Sequence, residues 1–245
     1  MAVRRSFMEI KNKVAVITGA SRGIGKVIAL EFARKGAHLV LAARTAGMLK
    51  DVARDAQQVG ADALALPTDL AHEDQIKRLV KKTLQRFGRI DILVNNAGFG
   101  YFHSIADFPT NQWDEMFAVN LRGLFILTRE CIPALRQAGE SVVVNVASLA
   151  GKNAFVNGGG YAATKHALIG FSRCLMLEER KNGMRVLVIC PGSVDTQFFD
   201  NRREDIDSKR ARMLKPEDVA SSIIHMIELP QRAMVSEIDI RPADP

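Results

Sequence analysis

Residues 13–25 read KVAVITGASRGIG. The first six are mostly apolar and β-branched, a composition typical of a short buried strand. Glycines at positions 19, 23 and 25 then mark a turn, and the residues from Gly23 to about Lys35 have the apolar spacing of an amphipathic helix that ends at Gly36. The stretch therefore predicts a strand, a glycine-rich turn and a helix in direct succession.

The same alternation continues along the rest of the chain. Further apolar runs predict strands at 38–43, 63–66, 91–95, 141–148, 184–190 and 236–240. Helical patterns occur at 48–59, 73–87, 111–137, 161–181 and 216–227, and Pro133 is expected to kink or end the helix at 111–137. Apolar strands that alternate with helices form parallel sheets covered on both faces. We therefore expect an α/β fold, a Rossmann-type doubly wound sheet of about seven strands, as one domain over residues 1–245 with its core at about 13–242.

The composition is that of a globular protein: of 245 residues, 47% are hydrophobic and 25% are charged. The three cysteines are far apart and form no CxxC pair, so neither a disulfide framework nor a metal site is expected. No apolar run approaches the roughly 20 residues of a bilayer span, and the opening MAVRRSFMEIKNK does not resemble a secretory signal. We therefore expect a cytoplasmic protein with no membrane partner.

The net charge of +7 requires nucleic-acid binding to be considered. The basic residues are dispersed, and the densest clusters, at 76–82 and 208–212, are typical of solvated surfaces. We therefore expect a small-molecule partner and no nucleic acid.

The glycine-rich turn predicts nucleotide binding. Glycines allow the backbone to turn tightly beside a pyrophosphate, and the following helix directs its positive N-terminus at that charge. The spacing is G-x-x-x-G-x-G, because Ile28 occupies the place of the third glycine in the common dinucleotide fingerprint. The residues of the turn expected to bind the nucleotide are Gly19, Ser21, Arg22, Gly23, Ile24 and Gly25.

The end of the second strand indicates which nucleotide is bound. An acidic residue there would bind the ribose hydroxyls of NAD, but Ala43 and Arg44 occupy this place. A guanidinium binds a 2′-phosphate in bidentate fashion, whereas a carboxylate repels it. Arg22 can approach the same phosphate from the glycine turn. The sequence therefore predicts NADP(H).

Two further loops follow predicted strands in order. Asp69 and Leu70 come after the third strand, and Asp69 can accept a hydrogen bond from the adenine amino group. Asn96, Ala97 and Gly98 come after the fourth strand, where small residues permit close packing on a ribose. Together they predict a cofactor crevice along the carboxyl edge of the sheet.

Tyr161 and Lys165 lie four residues apart and share one helix face. A free tyrosine titrates near pH ~10, and a nearby ammonium lowers that pKa into a range useful for proton transfer. Ser148 ends a predicted strand thirteen residues earlier and can hold the same substrate oxygen. A tyrosine at a helix start is more often packing, but the nucleotide site and the strand-end serine favour chemistry.

These motifs together resemble the short-chain dehydrogenase/reductase family over almost the whole chain. The motifs that carry the resemblance are TGASRGIG (18–25), Asp69, NNAG (95–98), Asn120 in FAVNLRG, Ser148 in VNVAS, YAATK (161–165) and PGSVDT (191–196). The resemblance implies hydride transfer between a nicotinamide and a carbonyl or secondary alcohol. Its basic coenzyme pattern also matches Arg22 and Arg44.

The resemblance also implies a role for each site residue. Tyr161 is the acid/base, and Lys165 lowers its pKa and binds the nicotinamide ribose. Ser148 positions the substrate oxygen, and Asn120 supports a water that relays protons to Lys165. The residues implied to border the nicotinamide are Pro191, Gly192, Val194 and Thr196.

The substrate signal is weaker. Phe99, Tyr101 and Phe102, with the stretch 149–160, favour an apolar substrate body, and the charged segment 197–215 is expected to act as a lid. A carrier-bound 3-oxoacyl substrate is an alternative, although the ending SEIDIRPADP departs from those reductases. A non-catalytic nucleotide sensor is a second alternative, disfavoured because all four catalytic positions are kept.

Two expectations concern assembly and the loop before Tyr161. The family usually forms homodimers or homotetramers through its two long helices, and the apolar stretch 167–177 fits either an interface or the core. The glycines at 158–160 are unusual, and we hypothesise that they let the loop 151–160 move when substrate enters.

Overall fold

Seven parallel strands form one sheet in the order β3-β2-β1-β4-β5-β6-β7. The structure is a computed structural model that describes residues 8–199 and 210–244. The strands are β1 (Val14–Thr18), β2 (His38–Ala43), β3 (Ala63–Pro67), β4 (Ile92–Asn95), β5 (Ser141–Val146), β6 (Met184–Pro191) and β7 (Glu237–Ile240). Each lies within two residues of its predicted bounds, and the predicted Rossmann-type sheet is confirmed.

Helices cover both faces of the sheet. They are α1 (Gly23–Arg34), α2 (Ala46–Gln58), α3 (Glu73–Phe87), α4 (Thr110–Phe117), α5 (Leu124–Gln137), α6 (Gly159–Glu179) and α7 (Pro216–Ile227). Alternate strand residues face opposite layers: Ile17 belongs to the core beneath α1, α2 and α7, whereas its neighbour Val16 belongs to the core beneath α3, α5 and α6. This alternation explains why the strands are apolar on both sides.

The prediction of a single helix at 111–137 is wrong about how the helix is divided. The chain forms α4, then a π-helical segment at Ala118–Gly123, and then α5. Pro133 does not end α5, because it lies on the exposed face, where water can satisfy the carbonyl that loses its N–H donor. The interruption is instead the π-helical segment, which ends at Gly123, where a Cβ atom would collide with the carbonyl oxygen of Leu70.

Residues 8–199 and 210–244 contain neither a membrane-spanning helix nor a cluster of metal ligands. None of the helices there combines the length and hydropathy of a bilayer span. The same residues contain no group of three His, Cys, Asp or Glu side chains arranged to hold a metal ion.

Candidate active site

The candidate site lies at the carboxyl edge of the sheet, where β1 and β4 are neighbours and the strand order reverses. Open parallel sheets bind ligands at such a switch point. Gly19 follows β1 with a φ of +65°, a left-handed conformation that favours glycine. A Cβ atom there would lie 2.8 Å from Nδ2 of Asn96, the residue after β4. The turn after β1 therefore lies directly against the loop after β4.

Thr18 fastens these two loops together. Its Oγ1 accepts hydrogen bonds from the backbone N–H groups of Asn96 (3.0 Å) and Ala97 (3.1 Å) and donates to the carbonyl of Val94. The Asn96 side chain donates in return to the carbonyl oxygen of Thr18 at 3.0 Å. Thr18 is not among the site residues predicted from the sequence. The signal that could have indicated it is a hydroxyl residue at the end of an otherwise apolar strand.

The N-terminus of α1 suits an anion. Arg22 occupies the N-cap in an extended conformation, and within the described chain its side chain makes no capping hydrogen bond. The first turn of α1 also has no acidic residue, so its free N–H groups and positive dipole end can receive a phosphate. Thr196 reaches this turn from the other side, because its Cγ2 lies 3.3 Å from where a Cβ of Gly23 would be. The arrangement fits a dinucleotide pyrophosphate.

The other residues of the glycine-rich turn pack against the protein instead of pointing into solvent. Ser21 is half-buried, and Ile24 packs against the core beneath α1. Gly25 contacts Gly19, and any Cβ atom at Gly25 would collide with the carbonyl oxygen of Gly19 and lie 2.5 Å from Nδ2 of Asn96. Gly25 is therefore needed for the turn to close on itself.

Arg44 and Asp69 lie at the ends of β2 and β3. The Arg44 side chain is 64% exposed, and its Nη1 lies 4.0 Å from Oε1 of Glu115 on α4. The Asp69 carboxylate accepts a hydrogen bond from the N–H of Ala71 at 3.0 Å, which leaves its second oxygen for a ligand. Leu70 is buried against the π-helical segment. Arg44 thus has a largely exposed side chain, with Glu115 as its ion-pair partner.

Asn120 lies in the π-helical segment, a geometry often found at functional sites. Its Nδ2 donates to the carbonyl of Phe99 at 2.8 Å, and its Oδ1 accepts from the N–H of Phe99 at 3.1 Å. Nδ2 also lies 3.3 Å from Oγ1 of Thr164, next to Lys165 on α6. A Cβ atom at Gly98 would lie 3.2 Å from Oδ1 of Asn120 and 3.6 Å from Nζ of Lys165. The loop after β4, the π segment and α6 therefore converge at this point.

Lys165 is buried at the end of β5. Its side chain is 5% exposed, and Nζ donates a hydrogen bond of 2.9 Å to the carbonyl of Val146. Burial lowers the pKa of Lys165 from its ordinary 10.5 to about 8. Nζ lies 5.7 Å from the centre of the Tyr161 ring, one helical turn earlier. The pair predicted from the YAATK motif is therefore close in space.

Ser148 joins the ends of β5 and β6. Its Oγ accepts from the N–H of Ala150 at 3.1 Å and donates to the carbonyl of Pro191 at 3.4 Å. Gly192 follows Pro191 and donates its N–H to Ile240 of β7 at 2.8 Å. The bond to Pro191 places the start of the predicted nicotinamide border beside Ser148.

Aromatic rings surround Tyr161. The ring centre of Tyr161 lies 5.8 Å from that of Phe102 and 5.5 Å from that of Phe198, and Phe102 lies 6.1 Å from Phe155. Gly100 permits this approach, since a Cβ there would lie 2.7 Å from Phe102 and 3.2 Å from Tyr161. We call Phe102, Phe155 and Phe198 the aromatic wall.

Phe99 and Tyr101, also expected to contact substrate, face elsewhere. Phe99 packs against the core beneath α3, α5 and α6. The Tyr101 hydroxyl donates to Oε2 of Glu115 at 2.9 Å, on the side of Arg44. Of the three aromatics predicted after NNAG, Phe102 is therefore the one that belongs to the aromatic wall.

Contacts join the described residues on either side of the undescribed part of the predicted lid. Val194 pairs with Leu214 in a parallel bridge. Asp195 accepts from Arg210 at 2.6 Å and from Lys215 at 2.8 Å, and these partners lower the pKa of its carboxyl group. The lid residues 200–209 lie outside the described residues.

The glycines before Tyr161 are packed against apolar side chains. A Cβ atom at Gly158 would collide with the Phe155 ring, and one at Gly159 would collide with Ile105. A Cβ atom at Gly160 would lie 2.5 Å from Cε of Met116. The structure thus supplies a packing reason for the three glycines, beside the hypothesis of loop movement.

Similarity to known proteins agrees with this site. A family model described as short chain dehydrogenase matches residues 13–207. An uncharacterized oxidoreductase of Staphylococcus epidermidis is 32% identical over 234 residues, which are 96% of this chain and 99% of that protein.

Two solved structures share the fold over 96% of this chain and 98% of theirs. An alcohol dehydrogenase from the archaeon Thermococcus sibiricus, complexed with 5-hydroxy-NADP, superposes with a TM-score of 0.88 and 32% identity. A 3-ketoacyl-(acyl-carrier-protein) reductase from Brucella melitensis, complexed with NADH, superposes with a TM-score of 0.87 and 30% identity. One complex holds an NADP derivative and the other NADH, so nucleotide binding is supported without a choice between the two cofactors. The chain belongs to the short-chain dehydrogenase family and is an oxidoreductase of that family.

Proposed function

We propose that this oxidoreductase depends on NADP(H) and acts on a carbonyl or secondary alcohol with an apolar body. The observation that carries the proposal is the convergence of Tyr161, Lys165 and Asn120 at the end of β5, the strand that leads into Ser148. When bound, the cofactor supplies the hydride that reduces the carbonyl carbon, or accepts it in the reverse direction.

The side chains of the candidate site donate, stabilise and relay the proton that the reaction needs. In the reductive direction, Tyr161 gives its phenolic proton to the substrate oxygen, so the carbonyl becomes an alcohol. Lys165 is charged below pH of about 8, and a cation beside the ring favours the phenolate left behind. Ser148 has its hydroxyl oriented by Ala150 and Pro191, which suits it to position the substrate oxygen. Asn120 is held by both backbone groups of Phe99, and we assign it the water through which protons reach Lys165.

Positive charge supports the choice of NADP(H). Arg44 follows β2 with no acidic residue at the strand end, and Arg22 stands exposed at the start of α1. A 2′-phosphate carries more negative charge than a ribose hydroxyl, so two arginines favour the phosphorylated cofactor.

The aromatic wall supports an apolar substrate. Beyond its three rings, Ile105 is 72% exposed and Val156 is 88% exposed, next to Gly159 and Phe155. Exposed apolar groups beside a reactive centre fit a substrate that covers them. Two basic residues of segment 197–215 that an anionic carrier could contact, Arg210 and Lys215, are paired with Asp195. A carrier-bound 3-oxoacyl substrate stays the alternative.

Assembly and compartment stay predictions. Phe125 on α5 and Leu177 on α6 are exposed, in agreement with a homodimer or homotetramer formed through these helices. Light scattering measures that state. A single domain over residues 1–245 and a cytoplasmic location likewise stay expectations.

The test is turnover of NADPH with a panel of apolar and polar ketones, using the wild type and Tyr161→Phe. We expect the variant to lose at least 10²-fold in kcat, because it lacks the proton donor, while its NADPH binding and melting temperature change little. Near-normal turnover by folded Tyr161→Phe would refute the proposed mechanism. Absence of turnover by the wild type across the panel, together with tight NADPH binding, would favour the nucleotide-sensor alternative.

A further inference from the structure

We propose that Glu115 on α4 determines how strongly the site prefers NADP(H) over NAD(H), by competing with the 2′-phosphate for Arg44. The proposal rests on the position proposed above for Arg44, at the 2′-phosphate of the cofactor. Glu115 lies 71 positions away from Arg44 in the chain, and nothing in the sequence near β2 indicates it.

The geometry places one carboxylate between two partners. Oε2 of Glu115 accepts the Tyr101 hydroxyl at 2.9 Å, and Oε1 lies 4.0 Å from Nη1 of Arg44. Tyr101 is itself held, because its N–H contacts Sδ of Met116 at 3.2 Å. Hydrogen bonding to Glu115 raises the pKa of Tyr101, so the phenol remains a donor at neutral pH. The carboxylate is therefore fixed on one side and directs its other oxygen at the guanidinium.

This arrangement weakens the binding of a phosphate in two ways. Arg44 must give up its attraction to the Glu115 carboxylate when it binds the phosphate, so the net gain in binding free energy is smaller. A phosphate bonded to Arg44 also lies near the carboxylate, and like charges at that separation repel. The ribose of NAD(H) has no such charge and is affected by neither. Glu115 therefore lowers affinity for the phosphorylated cofactor selectively.

The opposite possibility is that Glu115 supports phosphate binding by Arg44 instead of competing with it. If Glu115 held Arg44 in its binding position, removing the carboxylate would weaken phosphate binding. Two observations favour competition: the pair is separated by 4.0 Å, and the side chains are 64% and 42% exposed, so the carboxylate constrains Arg44 only loosely. The charge of Glu115 acts at this distance, whereas a tight hydrogen bond that would orient Arg44 is absent from the pair.

The experiment is calorimetric binding of four nucleotides at fixed ionic strength: 2′,5′-ADP, 5′-ADP, NADP⁺ and NAD⁺. The variant Glu115→Gln removes the charge and keeps an oxygen for Tyr101. Asp114→Asn is the matched control, because it removes the same charge from the neighbouring exposed position on α4. We expect Glu115→Gln to bind 2′,5′-ADP and NADP⁺ three- to tenfold more tightly than the wild type, with 5′-ADP and NAD⁺ changed less than twofold. Asp114→Asn should change all four less than twofold.

A double variant tests the route through Arg44. In an Arg44→Ala background, Glu115→Gln should change 2′,5′-ADP binding less than twofold. The proposed competition would be refuted if Glu115→Gln and Asp114→Asn bound 2′,5′-ADP with equal affinity. It would also be refuted if Glu115→Gln bound 2′,5′-ADP more weakly than the wild type. A wild type that prefers NAD⁺ would instead overturn the proposed NADP(H) preference, while a shift of Glu115→Gln toward NADP⁺ would still support the role of Glu115.

Discussion

The ammonium of Lys165 donates its 2.9 Å hydrogen bond to the carbonyl of Val146, the last residue of β5. This contact draws the cation into the protein at the end of a strand instead of leaving it in solvent. Burial then lowers the pKa of Lys165 to about 8. The placement that the proposed proton transfer from Tyr161 requires therefore costs stability at neutral pH.

Lys165→Met should make the protein more stable at pH 7 and inactive. A pKa lowered from 10.5 to about 8 corresponds to about 3 kcal/mol of destabilisation while the lysine is charged. Loss of the hydrogen bond to Val146 offsets about 1 kcal/mol of the gain. Urea unfolding of the wild type and the variant without cofactor measures the difference.

The pH dependence of that difference has a defined sign. Between pH 8 and 10.5 the unfolded wild type binds more protons at Lys165 than the folded protein, so wild-type stability rises with pH. The advantage of Lys165→Met should therefore shrink by about 2 kcal/mol between pH 7 and pH 9.5. A difference that stays constant over this range would contradict a buried, charged Lys165.

Local patterns in the sequence were sufficient for the strands and for the position of most site residues. The strand from Val14 to Thr18 and the glycine turn after it follow from β-branched residues and from a φ that glycine adopts most easily. Parallel strands bring their carboxyl ends to one edge, so Ser148 and Asn96 could be assigned to one crevice without knowing any contact.

Contacts between distant segments could not be predicted in the same way. The π-helical segment that holds Asn120 is only six residues long, so it is too short to show a periodicity different from that of the helices on either side. Tyr101 was expected to face the substrate, but its hydroxyl turns to Glu115, a choice made by tertiary geometry. The pairing of Asp195 with Lys215 likewise joins residues 20 positions apart, and no local pattern indicates it.

Phe102→Ala should narrow the substrate range toward small ketones. The ring of Phe102 contacts those of Tyr161, Phe155 and Phe198 and is the centre of the aromatic wall. Its loss removes apolar contact with a bulky substrate, so kcat/KM for such ketones should fall at least tenfold, or about 1.4 kcal/mol. A small water-soluble ketone should lose less than threefold.

Phe87→Ala is the control for that variant. Phe87 ends α3 and stacks on His38 at 5.9 Å, on the opposite edge of the sheet. Its removal should lower stability and leave the ratio of the two kcat/KM values unchanged. An equal loss for bulky and small ketones in Phe102→Ala would argue against an apolar substrate body on this wall.

Asp195→Asn should raise the KM for substrate three- to tenfold with a smaller change in kcat. The substitution removes the charge that joins Arg210 and Lys215 beside the predicted substrate-binding segment 197–215, so we expect weaker binding of substrate by that segment. Because both partners lower the pKa of Asp195, its charge persists as the pH falls to the ordinary 3.8, and the effect should be constant from pH 5 to 8. Asp51→Asn removes one charge from an exposed pair on α2 and should leave KM unchanged. An unchanged KM in Asp195→Asn would exclude a contribution of these ion pairs to substrate binding.

Gly160→Ala and Gly170→Ala separate packing from loop movement as the reason for the glycines before Tyr161. Both residues lie in α6 and neither has a positive φ, so the backbone tolerates alanine at both positions. A Cβ at Gly170 meets no atom within 4 Å, and better helix propensity should stabilise that variant by up to about 1 kcal/mol. A Cβ at Gly160 would lie 2.5 Å from Met116 and 2.9 Å from the Phe108 ring. Gly160→Ala should therefore cost about 1–3 kcal/mol of unfolding free energy and also lower kcat, because the start of α6 carries Tyr161. If both variants were equally stable and only substrate binding differed, the Gly160 contact would not be limiting and loop movement would be the better explanation.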